Sequence, residues 1–274
     1  MKPQIINIEE FVHSGEGFNG ESFNHRNNPD IMLKLYNASA GRASVERELF
    51  FARKFYDAGL PTPRPGDFVT DGAGRYGIRF ERIVGKVSFS RAIGDNPEMV
   101  EYYARRFAGM CLKLHSTHVV DEQFPNVKDL ILSQLAEDPY FDEREQARVR
   151  EILRDTPDAD ILLHGDLQYS NAILVDDKEY FIDLGDAACG HPYFDLGQVM
   201  LCCHWTPPAF MRWTFHMEPE TGFQFWKFFV REYFGEKEDL GAVGRLLRPY
   251  SALKTLIIER DAHMRKDLFH RLLW

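Results

Sequence analysis

Residues 162–186 read LLHGDLQYSNAILVDDKEYFIDLGD, and this stretch limits what the chain can fold into more than any other. It sets His164, Gly165, Asp166, Asn171 and Asp183 between runs of aliphatic and aromatic strand-formers. Carboxylates in such surroundings are costly to desolvate and call for a partner: a structural cation, a metal or a reacting group. Residues 173–182 have the composition of two short strands around an Asp-Asp-Lys turn, which predicts a hairpin. Such a hairpin brings Asn171 and Asp183 together at its open ends, with Asp166 on the loop just before. Each of these residues alone would read as a turn cap. Together, a carboxamide and a carboxylate at one spot are hard oxygen donors of the kind magnesium prefers.

The 274-residue length allows one large domain or two lobes with a cleft. With 33 Lys and Arg against 42 Asp and Glu, the net charge of −9 argues against nucleic-acid phosphates and anionic membranes as partners. Cys111, Cys189, Cys202 and Cys203 show neither a disulfide framework nor the paired C-x-x-C spacing of a zinc site, so free core thiols in a reducing cytoplasm are expected. The N-terminus carries acidic residues where a signal peptide would carry an apolar run, and no stretch approaches about 18 uninterrupted apolar residues. The expectation is a protein neither secreted nor membrane-spanning, with its oligomeric state open.

The two halves differ in texture. Up to residue 85, short alternating runs at 31–36 and 76–85 stand between Gly, Asn and Pro clusters and predict strands. Between them, residues 44–58 repeat apolar side chains at helical spacing and stop at Gly59. In IMLKLY, period-two alternation puts Ile31, Leu33 and Leu35 on one face and Met32, Lys34 and Tyr36 on the other. Lys34 is then either a solvated strand lysine or one turned toward a cleft. On the following helix Glu48 falls within the arc of Leu49, Phe51, Ala52 and Phe55, whereas Glu46 falls outside it, so Glu48 is the carboxylate that needs a cation. The GEGFNG run supplies Gly15, Gly17 and Gly20 in a G-x-G-x-x-G, followed by strand-like sequence instead of the helix that a dinucleotide fold requires. Beyond residue 95 the pattern turns helical, with Asn96 as the expected N-cap and Pro97 as the first helical residue. The aromatic stripe over 204–234 reads first as core and second as a cage for a cationic group.

The order His164-Gly165-Asp166, Asn171, hairpin, Asp183-Leu184-Gly185 matches the catalytic and metal-binding loops of kinase-type phosphotransferases. With GLPTPRP at 59–65, the chain resembles the aminoglycoside phosphotransferase and choline kinase superfamily over residues 15–200. That resemblance implies an α+β, protein-kinase-like two-lobe fold: residues 1–85 as a small antiparallel β lobe with one helix, and 86–274 as a larger, mainly helical lobe. It implies ATP and Mg²⁺ as cofactors and a hydroxyl of a small molecule as acceptor, such as an aminoglycoside, choline-like compound, amino alcohol or sugar. Asp166 would take the acceptor proton, Asn171 and Asp183 would hold magnesium, and Lys34 with Glu48 would position the phosphates under the Gly15, Gly17, Gly20 loop. Backbone groups around Glu81, Arg82 and Ile83 would meet adenine, and Asp195 would brace the catalytic loop. The alternative is a nucleotide-binding pseudokinase that presents its helices to a protein partner.

Overall fold

The short alternating runs of the N-terminal half pair into a six-stranded sheet in the order β1-β5-β6-β4-β3-β2. The strands are β1 (Gln4–Ile5), β2 (Phe11–Gly17), β3 (Gly20–His25), β4 (Ile31–Tyr36), β5 (Pro65–Thr70) and β6 (Tyr76–Glu81). The computed structural model describes residues 2–119, 123–258 and 262–273. Its chain divides into two units, 1–87 with 172–186 and 88–171 with 187–274. The hairpin of residues 172–186 therefore belongs with the N-terminal unit, not with the sequence on either side of it.

All pairings in the sheet are antiparallel except β1 with β5, which runs parallel. Two residues are too few to show a period, so nothing in the sequence marks β1. Alternation sends Leu33 and Leu35 to a cluster with Ile6, Phe11 and Val69. Helix α1 (Arg42–Asp57) covers the other face, where Val45 and Leu49 pack with Tyr36, Phe68 and Ile78. The hairpin strands Ala172–Val175 and Lys178–Phe181 turn at Asp176, whose φ is 49°. The segment after α1 ties the hairpin down: the Phe181 amide donates to Pro61 O at 2.7 Å and Thr62 Oγ1 donates to Phe181 O at 3.0 Å.

Gly20 marks the closest backbone approach in the sheet. A Cβ there would stand 2.3 Å from Leu35 O and 2.8 Å from Tyr36 Cα on β4, whereas one at Gly17 would meet only Gly20 O at 3.7 Å. Gly20→Ala should therefore destabilise the unit by about 1–3 kcal/mol, and Gly17→Ala should not. Thermal melts of the two variants check this; equal melting temperatures would remove the packing role of Gly20.

The second unit is helical: α2 (Phe89–Asp95), α3 (Val100–His115), α4 (Val127–Glu137), α5 (Glu143–Asp155), α6 (Tyr193–His204), α7 (Pro208–Phe210), α8 (Pro219–Phe234), α9 (Leu240–Ile258) and α10 (Ala262–Leu273). A two-stranded ribbon, Ile161–Leu163 with Ala188–Gly190, carries the loop that follows residue 163. Asn96 does not cap α3, because its side chain donates to Ala92 O at 3.1 Å and closes α2. Pro97–Met99 then form a 3₁₀ turn, and the α-helix begins only at Val100. Part of the aromatic stripe is core: Phe215, Phe225, Trp226 and Phe229 are buried, and Phe225 meets Phe107 of α3 with ring centroids 5.7 Å apart. Trp213 is the most exposed of the stripe, at 78%, and Phe210 and Phe223 are exposed as well. No described helix is long and apolar enough to cross a membrane.

Candidate functional site

Within the first unit, β4, α1 and the residues after the hairpin converge on Lys34. Its Nζ donates to Glu48 Oε1 at 2.7 Å and to Asp183 Oδ1 at 2.5 Å. Glu48 is 7% exposed because it lies on the apolar face of α1. Glu46, one turn away from that face, pairs instead with Arg42 at 3.1 Å near the surface. Burial works to lower the Lys34 pKa, but the Asp183 and Glu48 carboxylates outweigh it and hold the ammonium well above its ordinary value. Lys34 is thus a fixed positive charge. Asp183 has a φ of 60°, in the left-handed region that asparagine and aspartate tolerate better than most residues.

The other predicted nucleotide residues of this unit lie on its strands. Gly15 and Gly17 are on β2 and Gly20 on β3, with Gly17 opposite Gly20 at the end of the ladder and an exposed Phe18 at the tip. Glu81 ends β6; its amide donates to Arg64 O at 2.9 Å, and the Arg82 amide donates to Asp30 O at 2.8 Å. These two amides are engaged inside the unit, and Ile83 follows them half-buried.

Within the second unit the loop after Leu163 is built on buried Asp195 of α6. Asp195 Oδ2 accepts from the His164 amide at 2.7 Å and Oδ1 from the Gly165 amide at 3.0 Å. His115 of α3 adds a third donor, Nε2, at 3.2 Å. Because the carboxylate can only accept, this contact puts a proton on His115 Nε2, while Nδ1 stands 2.8 Å from the Tyr233 hydroxyl. Burial works to raise the Asp195 pKa, but the His115 hydrogen bond, with His164 and Lys254 close by, holds it below the usual carboxylate value. Gly165 takes a φ of 83°, which its lack of a Cβ permits, and its carbonyl accepts from Lys254 Nζ of α9.

This scaffold presents Asp166. Its Oδ2 accepts from Asn171 Nδ2 at 2.8 Å and from Gln168 Nε2 at 3.1 Å, and its Oδ1 accepts from Gln198 Nε2 at 3.1 Å. Asn171 Nδ2 also donates to Asp166 O at 2.9 Å, so the other end of that carboxamide, Oδ1, is the one that remains for a cation or donor. The structure thus brings Lys34, Glu48 and Asp183 together in one unit and Asp166 with Asn171 in the other.

Sequence reasoning missed Gln168, Gln198, His115, Tyr233 and Lys254. One signal was available for Lys254, a lone cation within the apolar run SALKTLII that is 2% exposed in the fold. For Gln198 the signal was its i+3 spacing from Asp195, which places both on one face of α6.

The model of the phosphotransferase enzyme family (APH) matches residues 18–219. No curated protein shows a significant match. Among solved structures, a choline/ethanolamine kinase family protein from Mesorhizobium loti aligns over 96% of this chain and 86% of its own, at 18% identity and a TM-score of 0.59. A thermostable mutant of aminoglycoside phosphotransferase APH(4)-Ia, in a ternary complex with AMP-PNP and hygromycin B, covers 96% of this chain and 90% of its own, at 15% identity and a TM-score of 0.64. The amicoumacin kinase hAmiN, in complex with AMP-PNP, Ca²⁺ and Ami, covers 98% and 90%, at 14% identity and a TM-score of 0.60. These neighbours show a kinase-like fold, with an N-terminal sheet region and a larger helical C-terminal part. Because the family match runs through most of both units, the chain belongs to the phosphotransferase enzyme family.

Proposed function

We propose that the protein transfers the γ-phosphoryl group of ATP to a hydroxyl of a small molecule, with Mg²⁺ as companion. The observation that carries this reading is the Lys34 ammonium shared between Glu48 and Asp183, a partly buried cation held in place beside a more exposed carboxylate. A lysine so fixed suits a polyanionic phosphate chain. The nucleotide complexes of APH(4)-Ia and hAmiN support ATP as donor, and the hygromycin B bound to the former supports a small-molecule acceptor.

The donor set fits magnesium: Asp183 offers carboxylate oxygen and Asn171 its Oδ1, both hard, with no sulfur or imidazole among them. When bound there, Mg²⁺ would neutralise charge on the β- and γ-phosphate oxygens. Lys34, steadied by Glu48, binds phosphate oxygens. The Gly15, Gly17, Gly20 hairpin covers them with backbone, and the Glu81 carbonyl and Ile83 amide meet adenine. Asp166 orients the acceptor hydroxyl and receives its proton as the oxygen–phosphorus bond forms. Phosphoryl transfer has a loose transition state, so this placement matters more than basicity.

The test is Mg²⁺-dependent ATP consumption against aminoglycosides, choline, amino alcohols, sugars and nucleosides. Turnover with one class, reduced about 10²- to 10⁴-fold in Asp166→Asn, is the expected result. ATP binding without turnover across the panel would instead favour the nucleotide-binding module.

A further inference from the structure

Helix α6 is apolar through Phe194, Leu196, Val199, Met200 and Leu201, yet it buries Gln198 at 3% exposure. The carboxamide is only half satisfied. Its Nε2 donates to Asp166 Oδ1 at 3.1 Å, while its Oε1 is buried with no hydrogen-bond partner. A buried acceptor left without a donor costs stability, and an apolar side chain of similar volume would remove that cost. The residue is therefore poorly explained by folding alone.

Its geometry explains it better. Gln168 and Asn171 hold Asp166 Oδ2 from within the loop, and Gln198 holds Oδ1 from the helix, so the carboxylate plane is defined from both sides. Cys202, one turn beyond Gln198, seats the two glutamines: its Sγ is 3.8 Å from Gln198 Nε2 and 4.0 Å from Gln168 Oε1. Asp195, one turn before, holds the backbone amides of the same loop. A single face of α6 thus fixes both the loop backbone and the side chain it presents.

We infer that Gln198 is a positioning residue for phosphoryl transfer, holding the Asp166 carboxylate in its working orientation at the expense of folding stability. The inference rests on the reading of Asp166 as the group that receives the acceptor hydroxyl. Without Gln198 the carboxylate can rotate about χ2, and the acceptor loses its alignment with the phosphoryl group.

The experiment compares wild type, Gln198→Met, Gln198→Leu and Asp166→Asn by thermal melting and by steady-state Mg-ATP turnover, with water alone and with the panel compounds as acceptors. Both Gln198 variants should melt at or above the wild-type temperature, with kcat reduced about 10- to 100-fold and the KM for ATP within about twofold of wild type. A kcat within twofold of wild type in both, while Asp166→Asn is inactive, would overturn the role of Gln198 alone. Melting temperatures that fall together with kcat would make Gln198 a structural residue and also overturn it. An Asp166→Asn variant as active as wild type would instead remove the reading of Asp166 on which the inference stands.

Discussion

Asp195→Asn should destabilise the helical unit by about 3–5 kcal/mol, the largest stability loss expected from any single substitution near the candidate site. The change keeps volume and shape, so the loss reports hydrogen bonding. Asp195 is 1% exposed and accepts from three donors: the His164 amide, the Gly165 amide and His115 Nε2. An asparagine has one acceptor oxygen, and its NH₂ must face one of the two backbone N–H groups, leaving that donor buried and unpaired. Acid gives a second readout. The folded-state pKa of Asp195 lies below its ordinary value, so its contribution is complete above the unfolded carboxylate range, about pH 4. It is then lost as pH falls through the lower folded value. Melting curves across pH should show wild type and variant far apart at neutral pH and converging in acid. A variant that melts with wild type at pH 7 would mean that the loop does not depend on Asp195.

What the sequence made legible was whatever rests on local period and spacing. Alternation in IMLKLY set Lys34 apart from Leu33 and Leu35, and the helical wheel set Glu48 apart from Glu46; the fold buries Glu48 against Lys34 and leaves Glu46 with Arg42. The hairpin was legible because two strands and a turn are contiguous. Its attachment to the N-terminal unit was not, since that depends on the Phe181 amide donating to Pro61 O and Thr62 Oγ1 donating to Phe181 O, across about 120 positions of chain. The start of α3 was placed three residues early because Asn96 and Pro97 match the N-cap and first-turn preferences in sequence; in the fold they open a 3₁₀ turn, and the Asn96 amide is taken by the preceding helix. The supports of Asp166 were hidden for a related reason. α6 is buried on nearly every side, so only the i+3 spacing from Asp195 marks Gln198, and its partner lies 32 residues earlier in the chain.

Loss of activity should be deepest at Asp183. Asp183→Asn is expected to lower kcat on the order of 10³-fold, at least as much as Asp166→Asn, because in a loose transition state charge neutralisation outweighs proton transfer. Asparagine tolerates the left-handed backbone at this position, where φ is 60°, so the loop conformation is kept and the variant isolates the charge. Lys34 would remain paired with Glu48 at 2.7 Å, which keeps the cation proposed to bind phosphate in place. The expected pattern is thus a fall in kcat with little change in melting temperature, since Asp183 is substantially exposed and its ion pair adds little to folding. Raising Mg²⁺ should recover part of the lost rate in Asp183→Asn and none in Asp166→Asn, because in the proposed reading only the first substitution weakens a cation site. Kinetics of the two variants across a magnesium titration separate the roles. If Asp183→Asn retained activity within tenfold of wild type while Asp166→Asn lost it, the charge balance at the phosphates would have to be supplied by residues other than Asp183.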